Sequence, residues 1–386
     1  MPVTGALVVA AMTATTNAQV TGLLLTSIAD DLDRSVGLVG GLRALSAATA
    51  LLTAFPLSRV ADHYPRKYLI VLGLGLMATA ASVAMLAQGL AWFLLYYILA
   101  GASDVILFAM LLAAASDYVS GRALDRANGF VIGAFSLPGF IVVPLAGLVS
   151  DNFGWRYSYL LSIGLAASAA LLVLAYLPVV APTTRPPVST LRHLRALMAR
   201  PGLTMILLGN LMRFAALTVL IAYTAAYLIE RFDLSDGRAG IYFGFGSVVF
   251  LLAAMTSGAL LARLGLRRVM LQGGLLIAAG LLIAFLPGVP GVLAGLGLLT
   301  GALLGVHENG SLGMILRMAP EARGAATSLN EICAALGGIV GSALGGLIIQ
   351  QTGFGGLGVL LGAVALAAVA FTYLAFELAG RQPARA

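Results

Sequence analysis

The chain has 386 residues, of which 60% are hydrophobic and 10% charged, and its formal net charge is +7. Soluble domains average roughly 45–50% apolar and about 25% charged residues. The composition therefore excludes a single water-facing globule and makes lipid the solvent for much of the surface. Twelve helices of ~20 residues need ~240 residues, which leaves room for short loops.

Apolar runs predict spans at roughly 5–28, 37–57, 68–87, 91–115, 127–149, 157–177, 202–229, 239–261, 269–286, 291–316, 325–349 and 357–378. The stretch from Met1 to Gly5 has no basic residue, as a cleaved leader would, so the first run is read as a retained helix. Beyond it, Asp30, Asp33, Ser35 and Gly37 recur 200 positions later as Glu230, Asp233, Ser235 and Gly237, and Gly101 recurs as Gly301. Ser58 to Lys67 follows the second span, and Gly258 to Arg267 follows the eighth at the same offset. A long-period repeat in an apolar chain points to two related halves. The longest polar interruption, 178–201, holds Pro178, Pro182, Pro186 and Pro187 and reads as a linker. The expected organisation is a six-helix bundle over 1–177, a cytoplasmic linker over 178–201 and a second six-helix bundle over 202–386. Cys333 is the single cysteine, so no internal disulfide forms.

Basic residues set the orientation. With the N-terminus inside, inner loops and tails hold 16 of the 22 basic residues. The outer side holds Arg34, Arg156, Arg231 and Arg238, and Arg43 and Arg213 lie within spans. This bias explains the positive charge without a nucleic-acid partner. It predicts a protein of the cytoplasmic membrane with both termini cytoplasmic.

Six ionisable residues fall inside spans: Arg43, Asp104, Arg213, His307, Glu308 and Glu331. A charge near the bilayer centre costs ~2.5–3.5 kcal/mol on insertion scales, so such groups face a polar cavity or a partner. At ~1.5 Å per residue, Asp104 and Asn17 lie near the midplane, Arg213, Glu308 and Glu331 roughly 4–9 Å inward, and Arg43 about 6 Å outward. Asn210 and Arg213 share a helix face. Thr13, Asn17 and Thr21 form a polar stripe. Adjacent His307 and Glu308 point about 100° apart, so at most one aims squarely into a cavity. A carboxyl in an apolar site gains and loses protons readily as the site alternates between wet and closed, which makes Asp104, Glu308 and Glu331 proton-coupling candidates. Asn17, Arg43, Asn210, Arg213 and His307 are substrate-binding candidates. The competing reading is that the acids and arginines pair to keep the interior neutral. Pro138 and Pro144 in the fifth span and Gly337, Gly338, Gly341, Gly345 and Gly346 in the eleventh allow bending and close packing.

The Ser58–Lys67 segment resembles the signature loop between the second and third spans of the major facilitator superfamily. Asp62, Arg66 and Lys67 match; Ser58, His63 and Pro65 depart from it. The second copy keeps Gly258, Arg263, Gly265 and Arg267, with Ala262 at the aspartate position. Asp30-Asp31-Leu32 and Trp155-Arg156 resemble the drug/proton antiporter branch. Of that branch's fifth-helix motif, Gly139, Pro144 and Gly147 fit; Val143 and Leu148 replace glycines, and Tyr97 stands where an arginine is frequent.

The resemblance implies an all-α membrane protein with twelve transmembrane helices in two pseudo-symmetric six-helix bundles. It implies a cavity lined by spans 1, 4, 7 and 10 and flanked by 2, 5, 8 and 11, with 3, 6, 9 and 12 toward lipid. The middles of that last group carry no charge in this sequence. It further implies that Asp62 meets the start of the eleventh span near Gly324 when the inner side closes, with Arg66 and Lys67 adding to that conformational gate. The expected function is a monomeric secondary transporter working by alternating access, with proton-coupled export of a small organic or amphipathic compound. The alternatives are proton-linked uptake of a small organic anion, with Arg43 and Arg213 as binding cations, and a non-transporting membrane sensor. The expected partners are a small-molecule substrate, protons and membrane lipid. Neither an enzymatic activity nor a cofactor or metal is expected. The glycine-rich stretches lie within apolar helices and are not phosphate loops.

Overall fold

A computed structural model describes residues 2–61, 63–118, 130–131, 133–180, 197–285 and 290–380. Among them every regular element is helical. The first span comprises α1 (Pro2–Ala14), α2 (Thr16–Leu23) and α3 (Leu25–Asp31), with a 58° bend before Leu25. Threonines flank the earlier break at Thr15, between α1 and α2. Thr13 and Thr16 hydroxyls donate to Val9 O (2.8 Å) and Met12 O (3.0 Å) one turn back, a contact that bends helices. The Thr15 hydroxyl instead reaches Phe135 O at 2.6 Å.

The chain continues through α4 (Val36–Gly41), α5 (Arg43–Val60), α6 (Arg66–Met85), α7 (Leu90–Tyr118), α8 (Leu137–Phe153) and α9 (Trp155–Tyr176). After it come α10 (Pro201–Phe232), α11 (Asp236–Leu264), α12 (Leu266–Arg268), a π-helical turn Val269–Gly273, α13 (Gly274–Ala284), α14 (Pro290–Met318) and α15 (Arg323–Gly380). Among the described residues, eight helices are long and apolar enough to cross a bilayer, and nine with the bent first span. The non-helical Gly353 (φ 68°, ψ −167°) divides α15 into two spans, 323–352 and 354–380. With α8 and α14, the twelve expected spans are accounted for.

The repeat is visible in the backbone. Asp33 (φ 53°) and Asp233 (φ 50°) are the non-glycine residues with positive φ among the described residues. Aspartate tolerates this region better than most residues. Two positions later Ser35 Oγ accepts from Leu38 N at 3.2 Å, and Ser235 Oγ accepts from Arg238 N at 3.4 Å. Gly154 (φ 94°) and Gly353 (φ 68°) make the corresponding later turns, where an L side chain would be strained.

The described chain forms two compact units, 1–185 with 221–247 and 186–220 with 248–386. In the first, Leu7, Ile70, Leu74, Met77 and Leu107 form the apolar core. Beside it Phe93, Tyr96, Tyr97, Trp155 and Tyr159 pack ring against ring. Hydroxyls buried in an apolar interior need partners. Thr21 Oγ1 bonds both Tyr96 Oη (2.5 Å) and Tyr159 Oη (2.7 Å), and Tyr96 donates to Asn17 O (3.0 Å). The second unit has its own core of Leu203, Ile206, Leu207, Ile315, Ala326 and Ala375. Large apolar side chains such as Leu52, Phe55, Leu171 and Met255 are more than two-thirds exposed. A soluble monomer rarely tolerates such a surface over a large area.

Candidate functional site

The signature loop lies between α5 and α6. Asp62 lies outside the described residues, as do linker residues 181–196. Arg66 Nη1 donates to Ala61 O at 2.9 Å, and its Nε pairs with Asp117 Oδ2 at 3.3 Å. Lys67 Nζ donates to Leu174 O at 2.8 Å, which satisfies a carbonyl in the last turn of α9. The second copy repeats this arrangement. Arg267 Nη2 pairs with Glu377 Oε1 at 2.6 Å near the end of α15, with its guanidinium 5.9 Å from the Tyr373 ring centre. Exposed pairs of this kind contribute about 0–1 kcal/mol, so they fix helix ends more than they hold the fold together.

The first unit brings Arg43 and Asp104 together. Arg43, at the start of α5, donates from Nη1 to Ala18 O at 3.1 Å. Asp104, midway along α7, is half-buried; it lies within electrostatic reach of Arg43 without closing to an ion pair. Among the described residues no hydrogen bond reaches its carboxylate. Asn17 is 1% exposed, and its amide donates to Met77 O on α6 at 3.1 Å. The expected polar stripe of Thr13, Asn17 and Thr21 is thus buried within the first unit.

The second unit holds a connected chain of polar groups. Arg213 on α10 is 7% exposed. Its Nη1 donates to Glu308 Oε2 on α14, and its Nε to Asn210 Oδ1 at 3.4 Å. Asn210 Nδ2 donates to Asn330 Oδ1 on α15 at 2.7 Å. Neighbouring Glu331 is exposed. The Arg213 guanidinium also lies 4.3 Å over the Phe214 ring, a favourable cation–π position. His307 points elsewhere: it is buried, with Nε2 3.2 Å from Val269 O. Glu308, one position on, takes the arginine, as a 100° offset between adjacent residues allows.

Sequence reasoning missed Asn330 and a second polar group. Asp236, buried at the start of α11, accepts on Oδ2 from Ser27 (2.8 Å) and Ser150 (2.5 Å). Asp151 Oδ2 accepts from Ser235 Oγ (2.8 Å) and Gly237 N (3.1 Å), at the favourable N-terminal end of the same helix. All these residues belong to the first compact unit. Gly147 leaves the space they need, because a Cβ there would run into the carbonyl of Asp236.

Comparison with known proteins places this architecture. The family profile of the Major Facilitator Superfamily matches residues 7–263 and 206–386. The transcription regulatory protein OpdE of Pseudomonas aeruginosa is 29% identical over 86% of this chain and 83% of its own. A chloramphenicol efflux pump of Mycobacterium tuberculosis is 30% identical over 40% of this chain and 37% of its own. The crystal structure of a bacterial homologue of the human lysosomal transporter Spinster superposes with a TM-score of 0.82 at 16% identity, covering 99% of this chain and 98% of its own. With its repeat, its helical spans and its paired intramembrane charges, the chain is an integral membrane transporter that belongs to the major facilitator superfamily.

Proposed function

We propose that the protein is a secondary active transporter working by alternating access, and that it exports a small organic or amphipathic compound in exchange for protons. The observation that carries this reading is the state of the three intramembrane carboxylates. Asp104 has no ion-pair partner among the described residues, Glu308 is held by Arg213, and Glu331 is exposed within a membrane span. Carboxylates in three such settings bind protons with unequal affinity, as a carrier that loads and releases protons requires. Asn17, Arg43, Asn210, Arg213 and His307 are the polar groups that meet the substrate in this reading. The likeness to an efflux pump supports export.

In this reading Asp62, Arg66 and Lys67 form the inner gate. The protein is a monomer of the cytoplasmic membrane with both termini inside, built as 1–177, linker 178–201 and 202–386. An anionic substrate, with Arg43 and Arg213 as its binding cations, would instead favour proton-linked uptake of a small organic anion. A non-transporting sensor is favoured by one observation, the regulatory name of the relative OpdE.

Flux into proteoliposomes under an imposed pH gradient, with cationic, neutral and anionic compounds, separates the readings. Exchange moves substrate and protons oppositely, symport moves them together, and a sensor binds without flux. Unchanged pH-driven flux in both Asp104→Asn and Glu308→Gln would remove these carboxyls from the proton role.

A further inference from the structure

The second compact unit forms a small, partly open cavity among α10, α13, α14 and α15, bordered by Asn210, Arg213, Gly274, His307, Ser311 and Thr372. The room open to the centres of water molecules is ≈ 30 Å³. A single water needs about 10–15 Å³ by this measure. The walls carry hydrogen-bonding capacity that the protein does not use. Arg213 Nη2 is buried without a partner, although Nη1 and Nε are both engaged. His307 Nε2 faces the Val269 carbonyl at 3.2 Å and donates to it, so the neutral ring presents the Nδ1 lone pair as an acceptor. The Ser311 hydroxyl lies one helical turn beyond His307 on the same face of α14.

The backbone is adapted at the same place. The π-helical turn Val269–Gly273 supplies the carbonyl that holds His307, and Gly274 follows directly. Such widened turns occur mostly as local insertions at functional positions. A Cβ on Gly273 would lie 2.8 Å from His307 Nε2, so a larger residue there would push the ring from its present position.

We propose that this cavity is a water site, in which one or two ordered waters accept from Arg213 Nη2, donate to His307 Nδ1 and bond Ser311 Oγ. The water joins His307 to the Arg213–Glu308 pair, although the two side chains point to different partners. Two features select water over a small anion. The guanidinium charge is already matched by Glu308, and an anion has no hydrogen with which to satisfy a histidine lone pair. An orphaned guanidinium N–H in an apolar interior is costly, and a bridging water recovers most of that cost at a smaller ordering penalty.

The test uses the full chain in lipid nanodiscs with ¹⁵N-labelled histidine. The chain has three histidines, His63, His193 and His307, so His307→Asn assigns the signal by its loss. The expected result is a neutral ring protonated at Nε2, with a through-space cross-peak between Nδ1 and water protons. Ser311→Leu, which fills the cavity, is expected to abolish that cross-peak. A wild-type signal without the cross-peak, or with the proton on Nδ1, overturns the proposal. So does a shift of the signal when chloride is replaced by bromide, which would mark an anion site. Should Ser311→Leu fail to fold, a high-resolution map of the wild-type protein decides: solvent density between Arg213 and His307 supports the site, and an empty cavity refutes it. None of these readouts involves transport, so failure of the exchange reading leaves the water site standing, and the reverse.

Discussion

Arg213 on α10 and Glu308 on α14, 95 positions apart, form an ion pair in which the arginine is 8% and the glutamate 32% exposed. Removing one partner leaves the other charge stranded, which typically costs about 3–5 kcal/mol. Arg213→Met and Glu308→Leu are each expected to lower unfolding stability by that order. The double variant Arg213→Met/Glu308→Leu is expected to recover most of the loss, because two apolar groups of similar volume need no partner. Thermal unfolding in detergent micelles measures the cycle, and a double variant as unstable as the sum of the singles would refute the pairing.

Asp33 and Asp233 share a left-handed backbone at exposed turns. Glycine adopts this conformation without strain, whereas a β-branched residue does not. Asp→Gly at either site is expected to keep or raise stability by up to about 1 kcal/mol, and Asp→Val to lower it by about 1–2 kcal/mol. Equal effects at positions 33 and 233, read as shifts in melting midpoint, would show that the two turns are equivalent.

Asp236 accepts two serine hydroxyls in a buried setting. A hydrogen bond to a charged group contributes about 1.5–3 kcal/mol, so Ser27→Ala and Ser150→Ala are each expected to loosen residues 221–247 by that order. Hydrogen–deuterium exchange over this segment is the measurement. Gly147→Val is expected to act more strongly than either serine change, since its side chain meets the Asp236 carbonyl.

Lys67 and Arg267 hold exposed helix ends. Lys67→Met and Arg267→Met are expected to change stability by less than about 1 kcal/mol, with the difference shrinking further in high salt. A larger loss would show that these contacts bear on the core.

The fold was legible because a lipid environment forces long apolar runs and because the repeat lies in loops. Asp33 and Asp233 stood out at one offset and share one backbone state. The intramembrane charges were legible for the same reason: each is expensive in an apolar span. Which of them pair was not, since Arg213 and Glu308 meet only through packing of distant helices. Asn330 escaped notice because a neutral amide barely disturbs hydropathy, yet it extends the Arg213 group onto α15. Asp236 escaped because a carboxylate at a span's edge reads as a loop residue until its serine partners are seen. The first span reads as one continuous run from 5 to 28, whereas its threonines and the bend before Leu25 divide it.

The tight ring cluster around Trp155 has a spectroscopic corollary. The chain's two tryptophans, Trp92 and Trp155, both belong to the first compact unit. Intrinsic indole fluorescence is therefore a private signal of that unit, and the other unit is dark at the same wavelength. Quenching by an added compound would report an event in or near the first compact unit, and a melting curve followed by emission would record only that unit coming apart.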